Sequence, residues 1–291
     1  MSNVIFSDKE WLLIDLIKYG QNYLQKNGFS NSRHEMEWLL CDLLNYNRSD
    51  LYNKSYEKIS KSRIANLNNW INQRINRKPL QYITGYAEFY GRRLSVSPQV
   101  LIPRQETERV VDVALDCLTG FTKPKILEIG TGSGCISIAI AKERADSDIL
   151  SVDISQDALT KAQYNANINN INNVTFSKLD FMKELPDKRF DLIISNPPYI
   201  SLQDISQLEP EVLFYDPLSA LTDYKNGLSF YQFFSNQGSR LLNLNGRMLF
   251  EFGGKNQLHQ IIDIFSKPYY NHQIFNDLNN EPRFILVRLL K

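Results

Sequence analysis

The sequence predicts an α/β fold with a mostly parallel sheet, preceded by a small N-terminal helical domain and a β-hairpin connector. Its 291 residues amount to about two domains. In residues 1–78 apolar side chains recur at helical spacing, whereas from residue 106 short apolar runs alternate with amphipathic segments. Such alternation is typical of an α/β domain with parallel strands. Hydrophobic residues at 43% and charged residues at 22% are the proportions of a globular protein.

Residues 1–78 are predicted to form the helical domain. Their apolar side chains recur every three or four positions, which places them on one face of each helix. Ser32 followed by Glu35 predicts a capping box at the start of the second helix. The three predicted helices lie around Leu12–Ile17, over Ser32–Leu44 and over about Ser60–Arg77.

Residues 79–105 differ in composition from the segments on either side. Glycines and prolines interrupt short β-prone runs such as Glu88–Tyr90 and Leu94–Val96. We expect a β-hairpin connector here, between a first domain of residues 1–78 and a second domain of residues 106–291.

Residues 106–291 alternate apolar runs of strand length with helical segments. The predicted strands are Lys125–Ile129, Ile149–Asp153, Val174–Lys178, Asp191–Ser195, Arg247–Phe252, Gln273–Asn276 and Phe284–Leu289. The predicted helices include Thr107–Leu118, Cys135–Arg144, Gln156–Asn167 and Leu228–Leu242.

Several classes of protein are excluded by the composition. No run of about 18 apolar residues is present, and the first residues lack the basic and apolar regions of a secretory signal. The three cysteines, Cys41, Cys117 and Cys135, are odd in number and scattered, which favours a reducing compartment. No spacing of Cys and His is typical of a metal site.

The net charge of +1 argues against electrostatic binding of nucleic acid by the whole protein, but the charge is unevenly distributed. Residues 48–104 hold eleven Lys or Arg against three Asp or Glu, whereas residues 105–291 hold 18 against 23. The basic segment is either an ordinary solvated surface or a face for an acidic partner or RNA. If it faces a partner, we expect Lys58, Lys61 and Arg63 to contribute.

A glycine-rich loop follows the predicted strand Lys125–Ile129. It reads Gly-x-Gly-x-Gly, and glycine allows both a sharp turn and the close approach of a ligand to the backbone. Asp153 ends the next strand, 23 residues after Gly130, where a carboxylate can accept both ribose hydroxyl protons. The candidate cofactor contacts of the loop are Gly130, Thr131, Gly132, Ser133 and Gly134.

This loop and Asp153 together resemble the S-adenosylmethionine site of class I methyltransferases. By that resemblance, Glu128 would lie near the amino group of the ligand. Asp180 and Phe181 stand where such enzymes hold adenine, so Asp180 would accept from the exocyclic amine and Phe181 would pack on the ring.

Asn196-Pro197-Pro198-Tyr199, after the predicted strand Asp191–Ser195, is the most informative motif. The prolines remove two backbone donors, which leaves the Asn196 side-chain oxygen and the Pro197 carbonyl as acceptors for one planar NH₂ group. Such a nitrogen is a poor nucleophile because its lone pair is delocalised. Two oriented acceptors, with Tyr199 as a flat face, would aim it at a sulfonium methyl and stabilise the charge that develops on it. Asn196, Pro197 and Tyr199 are the candidate catalytic residues, and all four form the candidate substrate site.

The tetrapeptide suits adenine N6 and a glutamine side-chain amide equally, so it leaves the acceptor open. An adenine-N6 DNA methyltransferase would need a target-recognition region and a basic cleft. Only 92 residues follow Tyr199, and residues 105–291 are net acidic. A non-catalytic scaffold or RNA chaperone acting through residues 48–104 would not need an intact tetrapeptide.

The chain as a whole resembles the HemK/PrmC family, the protein-(glutamine-N5) methyltransferases of peptide chain release factors. The stretch Val100–Glu108 is close to the family signature V-L-I-P-R-P-E-T-E. Other matching positions extend along nearly the whole sequence: Arg77–Gly85, Phe89, Gly91, Glu209–Val212, Asp216–Pro217, Ala220–Leu221, Gly227–Leu228, Glu251 and Gly253.

The resemblance implies a seven-stranded methyltransferase domain behind an N-terminal domain that helps to hold the substrate. It implies methyl transfer from S-adenosylmethionine, without a metal, to the glutamine of a Gly-Gly-Gln loop in class 1 release factors. We also expect a monomeric cytoplasmic enzyme that acts on neither DNA nor membranes. Gly130–Gly134, Asp153, Phe181 and Asn196 carry over as cofactor contacts, Asn196–Tyr199 as the glutamine site, and Arg104–Glu108 as the mouth of that site.

Three positions depart from the family pattern. Gln105 replaces the second proline of the signature, Phe181 stands where tryptophan is common, and Thr222-Asp223 replaces a glycine pair. None of these changes removes an atom that the transfer requires, but the two loop changes are expected to alter the shape of their loops.

Overall fold

The computed structural model describes residues 5–7 and 10–290. The chain divides into two compact units between Gly85 and Tyr86. This division lies inside the predicted connector 79–105, so the hairpin groups with the second unit.

The first unit is helical, as its apolar periodicity predicts. The apolar faces of its helices pack into one core, in which Leu16, Met36 and Leu67 are fully buried. Its elements are β1 (Trp11–Leu12), α1 (Leu13–Lys26), α2 (Ser32–Leu44), α3 (Arg48–Asn53), β2 (Lys58–Ile59), α4 (Lys61–Ile75) and α5 (Leu80–Thr84).

The predicted capping box at the start of α2 is wrong. Asn31 precedes the helix and its side chain makes no capping hydrogen bond. Glu35 turns inward instead and accepts hydrogen bonds from Nε and Nη2 of the buried Arg74 on α4, at 2.7 and 3.0 Å. A buried guanidinium requires such a partner, and this requirement outweighs the local cap.

The second unit is the predicted α/β domain. Its first elements form the hairpin β3 (Tyr86–Phe89) and β4 (Arg92–Ser95), which pair antiparallel. The elements that follow are α6 (Glu108–Cys117), β5 (Lys125–Ile129), α7 (Cys135–Glu143), β6 (Asp148–Asp153), α8 (Gln156–Ile168), β7 (Val174–Lys178), β8 (Phe190–Ser195), α9 (Pro210–Tyr215), α10 (Leu218–Leu221), α11 (Ser229–Leu241), β9 (Leu242–Glu251), α12 (Lys255–Phe265), β10 (Tyr270–Asn276) and β11 (Pro282–Leu289).

Within the described residues, seven strands form one sheet in the order β10-β11-β9-β8-β5-β6-β7. Strands β7, β6, β5, β8 and β9 run parallel, whereas β11 runs antiparallel to both β9 and β10. The predicted fold class, a seven-stranded and mostly parallel sheet that follows a helical unit in the chain, is therefore confirmed.

The central strands are almost continuously apolar because helices cover both faces of the sheet. In β5, Ile126 and Leu127 are fully buried, as are Leu192 and Ile193 in β8. Parallel strands bring their carboxyl ends to one edge, where open α/β sheets bind ligands. That edge carries the residues after β5 to β9, which include the glycine-rich loop and the tetrapeptide.

Among the described residues, no helix combines the length and the apolar character needed to cross a bilayer.

Candidate active site

The glycine-rich loop turns back over the end of β6. The backbone N–H groups of Gly130 and Thr131 both donate to the carbonyl of Val152, at 2.9 and 3.1 Å. Gly130 and Gly132 have φ angles of +75° and +54°, which L side chains rarely adopt, and a Cβ at either would meet no protein atom within 4 Å. The loop therefore leaves open space beside exposed backbone, which suits the close approach of a ligand.

Asp153 stabilises the loop through its carboxylate. Oδ2 accepts from the backbone N–H of Gly132 at 3.0 Å, and Oδ1 accepts from that of Ser155 at 2.9 Å. Burial raises the pKa of Asp153 above its usual value, against the effect of these hydrogen bonds. Each oxygen retains a further lone pair, so the carboxylate can still accept two ribose hydroxyl protons.

Glu128 lies at the bottom of the same cavity, almost completely buried on β5. Its Oε2 accepts from the hydroxyls of Thr131, at 2.8 Å, and Ser151. Its Oε1 is buried, and among the described residues none forms a hydrogen bond with it. Burial raises the pKa of this carboxyl. An unpartnered buried acceptor beside an open cradle fits the amino group that the sequence predicts there.

These residues line a cavity of about 200 Å³. Gly134 does not line it: a Cβ there would lie 3.0 Å from Ala162 Cβ, so its glycine allows α7 to pack closely against α8. The predicted residues on its wall are Glu128, Gly130, Thr131, Gly132, Ser133, Asp153, Asp180, Phe181, Asn196, Pro197 and Pro198.

Phe181 and Asp180 differ in how free they are to meet a ligand. Phe181 is only 4% exposed and packs against Phe233 and Phe234, so it forms a fixed apolar wall of the cavity. Asp180 pairs through Oδ2 with Lys183 at 2.7 Å, and its Oδ1 accepts from the Met182 N–H at 3.3 Å. A ligand amine would have to share the Asp180 carboxylate with these partners.

The tetrapeptide presents two acceptor oxygens. Of the described residues, none donates a hydrogen bond to the Asn196 Oδ1 or to the Pro197 carbonyl. The Asn196 Nδ2 donates to the Thr107 hydroxyl at 3.4 Å. The arrangement that the sequence predicts, two unpaired acceptors on a proline-stiffened turn, is therefore available in the folded chain.

A second cavity of about 240 Å³ adjoins the first, and Leu101, Arg104, Asn196 and Ala220 line both. Asn196 lines both cavities, whereas Tyr199 lines only the second. Burial raises the pKa of Tyr199, and the neighbouring Glu251 adds to this effect. Two cavities that share the Asn196 amide offer one site for a methyl donor and another for its acceptor.

The Tyr199 backbone is clamped by residues from remote segments. Its carbonyl accepts from the Gln257 Nε2 at 2.9 Å, and a Cβ on Gly227 would lie 2.0 Å from the same oxygen. Gln257 also donates to the Gly227 carbonyl at 3.2 Å and accepts from the Gly253 N–H at 2.9 Å. Gly227 and Gly253 match the family pattern, but the sequence does not show that they take part in this contact. Gln257 belongs to no sequence motif.

The segment Arg104–Glu108 serves three different purposes. Arg104 lines both cavities and pairs with the buried Asp216 at 2.8 Å. Glu106 lines the second cavity and Thr107 the first. Glu108 is turned elsewhere, since its Oε1 accepts from the backbone N–H of Tyr90 in the hairpin turn, at 2.7 Å.

Glu251, at the end of β9, is the functional residue for which the sequence predicts no role. It is 2% exposed, lines the second cavity and accepts from the Thr107 hydroxyl at 2.8 Å. Burial raises the pKa of Glu251 to about 7 and the charge of Glu106 adds to this rise, whereas hydrogen bonds from Thr107 and Asn196 and the charge of Arg283 oppose it. Because β9 lies next to β8, its end necessarily comes close to Asn196.

Asp223 explains the altered loop at Thr222-Asp223. Its carboxylate accepts from the backbone N–H groups of Lys225, Gly227 and Ser229, at 2.8 to 3.0 Å. These hydrogen bonds lower the pKa of Asp223 despite the opposing effect of burial, which is the largest single influence. The loop is therefore fixed by a side chain, and it holds Gly227 against the Tyr199 carbonyl.

Much of the basic segment 48–104 is paired within the chain. Arg74 and Arg104 pair with buried carboxylates, whereas Lys58 forms an exposed pair with Glu10 at 2.7 Å. The described part of the chain contains no group of three or more His, Cys, Asp or Glu side chains that could hold a metal ion.

Comparisons with known proteins identify the family of the chain. Family models match the chain over residues 15–85, as the PrmC N-terminal domain, and over residues 105–222, as the methyltransferase small domain. Among solved structures, the hMettl16 catalytic domain in complex with a MAT2A 3′UTR hairpin superposes with a TM-score of 0.53 and 16% identity, covering 73% of this chain and 80% of that one. At that identity the likeness concerns the fold alone.

Two curated relatives are more similar in sequence. The release factor glutamine methyltransferase of Geobacter sulfurreducens is 36% identical, over 88% of this chain and 89% of the relative. That of Francisella tularensis is 34% identical over 97% of each chain. The predicted family is thereby confirmed, and this chain belongs to the release factor glutamine methyltransferases.

Proposed function

We propose that this protein transfers a methyl group from S-adenosylmethionine to the side-chain nitrogen of a glutamine, in the Gly-Gly-Gln loop of class 1 peptide chain release factors. The observation that carries the proposal is the position of Asn196, which lines two cavities with its Oδ1 unpaired. The names of the Geobacter and Francisella relatives support the release factor as the partner.

The first cavity fits S-adenosylmethionine, which supplies a methyl group already activated on a sulfonium when it is bound. Asp153 holds the ribose hydroxyls, Glu128 Oε1 accepts from the amino group, and Phe181 forms a wall beside the adenine. The glycine-rich loop admits the ligand because Gly130 and Gly132 leave open space. These residues would hold the ligand in the cavity that Asn196 also lines.

The glutamine enters through the second cavity, and its NH₂ group donates to the Asn196 Oδ1, which both cavities share, and to the carbonyl of Pro197, which lines the first cavity. Both acceptors sit on a proline-stiffened turn that Gln257 and Gly227 clamp at Tyr199. The new N–C bond forms as the S–C bond breaks, and the acceptors stabilise the positive charge that appears on nitrogen. The nitrogen loses its proton after the transfer, so no base has to act first.

The reaction belongs to the cytoplasm, where release factors act, and the free cysteines Cys41, Cys117 and Cys135 agree with a reducing compartment. We expect the enzyme to act as a monomer. Light scattering of the purified protein checks this expectation.

The test is to incubate the protein with S-adenosylmethionine and a class 1 release factor, and to map the product by mass spectrometry. We expect one added methyl group on the glutamine of the Gly-Gly-Gln peptide, and none on a release factor with asparagine in its place. A parallel incubation with plasmid DNA examines the adenine-N6 alternative. Methyl groups on DNA, with none on the release factor, would contradict the proposal.

A further inference from the structure

We propose that Thr107 and Glu251 are positioning residues that keep the Asn196 amide turned with its oxygen toward the acceptor cavity. The inference rests on the proposed function for the reaction it serves, but it concerns a hydrogen-bond chain that can be observed without catalysis. Neither residue needs to touch the donor or the acceptor, because both act through Asn196.

The chain runs from the end of β8 to the end of β9. Asn196 Nδ2 lies 3.4 Å from the Thr107 hydroxyl oxygen, and that hydroxyl lies 2.8 Å from the Glu251 Oε2. Thr107 and Glu251 are each 2% exposed, so water does not compete with these contacts. The three side chains come from separate segments of the second unit.

Counting protons determines which way the amide faces. A hydroxyl has one proton to donate and two lone pairs to accept with, whereas an ionised carboxylate can only accept. The Thr107 proton must therefore point to Glu251, and Thr107 can only accept from Asn196. The NH₂ end of the Asn196 amide consequently faces Thr107, and its Oδ1 faces the cavity.

Protonation of Glu251 removes this constraint. A neutral carboxyl can donate to the Thr107 oxygen, which frees the Thr107 proton to point to Asn196. The amide then turns, because its oxygen is the end that accepts from Thr107. Its NH₂ group would meet the NH₂ group of the acceptor, and two donors form no hydrogen bond.

The charges around Glu251 set the pH at which this change occurs. Burial raises its pKa to about 7, the hydrogen bond from Thr107, the charge of Arg283 and a weaker direct interaction with the Asn196 amide oppose this rise, and Glu106 adds to it. The Tyr231 hydroxyl donates to the Glu251 backbone carbonyl at 2.6 Å. The titratable and charged groups around Glu251 are Arg283 on β11, Arg104 and Glu106 before α6, Cys135 on α7, Tyr199 after β8 and Tyr231 on α11. The kcat of methyl transfer should therefore fall as the pH drops through about 7.

The first experiment compares the kinetics of four variants with those of the wild type. In Thr107→Val the hydroxyl is lost, and we expect kcat to fall about 100-fold, with unchanged cofactor affinity and no rise across pH 7. Thr107→Ser keeps the hydroxyl and should restore both kcat and the pH profile. Glu251→Gln can offer either an oxygen or an NH₂ to Thr107, so its kcat should be lower and independent of pH. Thr160→Val, on the exposed side of α8, is the matched control and should behave as the wild type.

Stability separates these effects from damage to the fold. A carboxyl whose pKa is raised in the folded state costs stability as the pH rises from its unfolded value through about 7. Glu251→Gln should therefore gain in melting temperature relative to the wild type as the pH increases. If Thr107→Val fails to fold, the kcat and pH profiles of Glu251→Gln and Thr107→Ser still test the proposal.

The second experiment reads the amide without catalysis. The side-chain ¹⁵N and proton resonances of Asn196, assigned by their loss in Asn196→Asp, should shift with a midpoint near pH 7 in the wild type and in Thr107→Ser. The shift should be absent in Glu251→Gln and smaller in Thr107→Val, where only the weaker direct interaction between Glu251 and the Asn196 amide remains. The proposal would be overturned by wild-type Asn196 resonances that do not change with pH. A Thr107→Val enzyme with the kcat and pH profile of the wild type would also overturn it. A wild type that methylates no glutamine would defeat the proposed function alone, since the resonances still report on the chain.

Discussion

The two sides of Asn196 are built in different ways. The donor side consists of one contiguous loop after β5 and one carboxylate at the end of β6, held mostly by hydrogen bonds from backbone groups. The acceptor side joins side chains that are far apart in the sequence: Thr107 is 144 residues from Glu251, and Tyr199 is 58 residues from Gln257.

The difference between the two sides separates binding of the cofactor from orientation of the acceptor oxygens. The donor side provides a cradle whose shape follows from glycine conformations and from the sheet edge. The acceptor side provides two oriented oxygens, and their direction depends on packing and on a buried chain of protons. Changes on the acceptor side should therefore reduce kcat, whereas changes on the donor side should weaken cofactor binding.

The largest expected effect comes from Asn196→Ala, which removes one of the two acceptors. We expect kcat to fall about 10²- to 10³-fold, as for the loss of one oriented partner of a developing charge, with a smaller change in cofactor affinity. Steady-state kinetics with a release factor, combined with calorimetric titration of the cofactor, measure both quantities. Methyl transfer at the wild-type rate would end the assigned role of Asn196.

Gly227→Ala should come next, because its Cβ would lie 2.0 Å from the Tyr199 carbonyl oxygen. The displaced tetrapeptide should lower kcat by about 10²-fold, the loss that a misplacement of 1 Å can cause. Gly120→Ala is the matched control. Gly120 also has a positive φ, +85°, but a Cβ there meets no atom within 4 Å. Both variants should lose about 1–2 kcal/mol of stability from backbone strain. Equal activities in the two variants would show that the clamp has no catalytic effect.

Asp153→Asn sharpens the contrast from the donor side. The amide keeps the size of the carboxylate but loses its charge and one pair of acceptor sites, so we expect the cofactor Kd to rise about 10-fold. The kcat at saturating cofactor should stay near that of the wild type. Asp157→Asn, an exposed carboxylate on α8, is the control. A loss confined to kcat would contradict the division between the two sides.

The smallest effect should come from the first unit. Lys58→Glu, Lys61→Glu and Arg63→Glu combined should raise the KM for the release factor a few-fold and reduce its salt dependence, since exposed charges act through screened fields. The same charge change at the exposed Lys142, Lys178 and Lys188 serves as the control. Identical KM values in the two triple variants would remove the basic segment 48–104 from substrate binding.

Local patterns predict the elements best. The predicted strands Lys125–Ile129 and Val174–Lys178 match β5 and β7 at both ends, because the first is mostly apolar and the second alternates apolar and polar residues. Strand β9 begins at Leu242 rather than Arg247, since pairing with β8 through an irregular register extends it through polar residues.

Long-range partnerships could not be predicted from the sequence. Glu35 fits the pattern of a capping residue until Arg74, 39 residues away, needs a buried partner. The clamp of Gln257 on Tyr199 and the chain from Asn196 to Glu251 depend on the order of strands in the sheet, which the sequence pattern does not specify. The tetrapeptide alone predicts the two acceptor oxygens, whereas these long-range contacts determine how the acceptors are oriented.

The most direct test of the central claim is a crystal structure with S-adenosylhomocysteine and a Gly-Gly-Gln peptide from a release factor. We expect the glutamine Nε2 within hydrogen-bond distance of both the Asn196 Oδ1 and the Pro197 carbonyl, on the line that leads to the ligand sulfur. A glutamine bound elsewhere, or an Asn196 oxygen turned toward Thr107 at alkaline pH, would contradict the account.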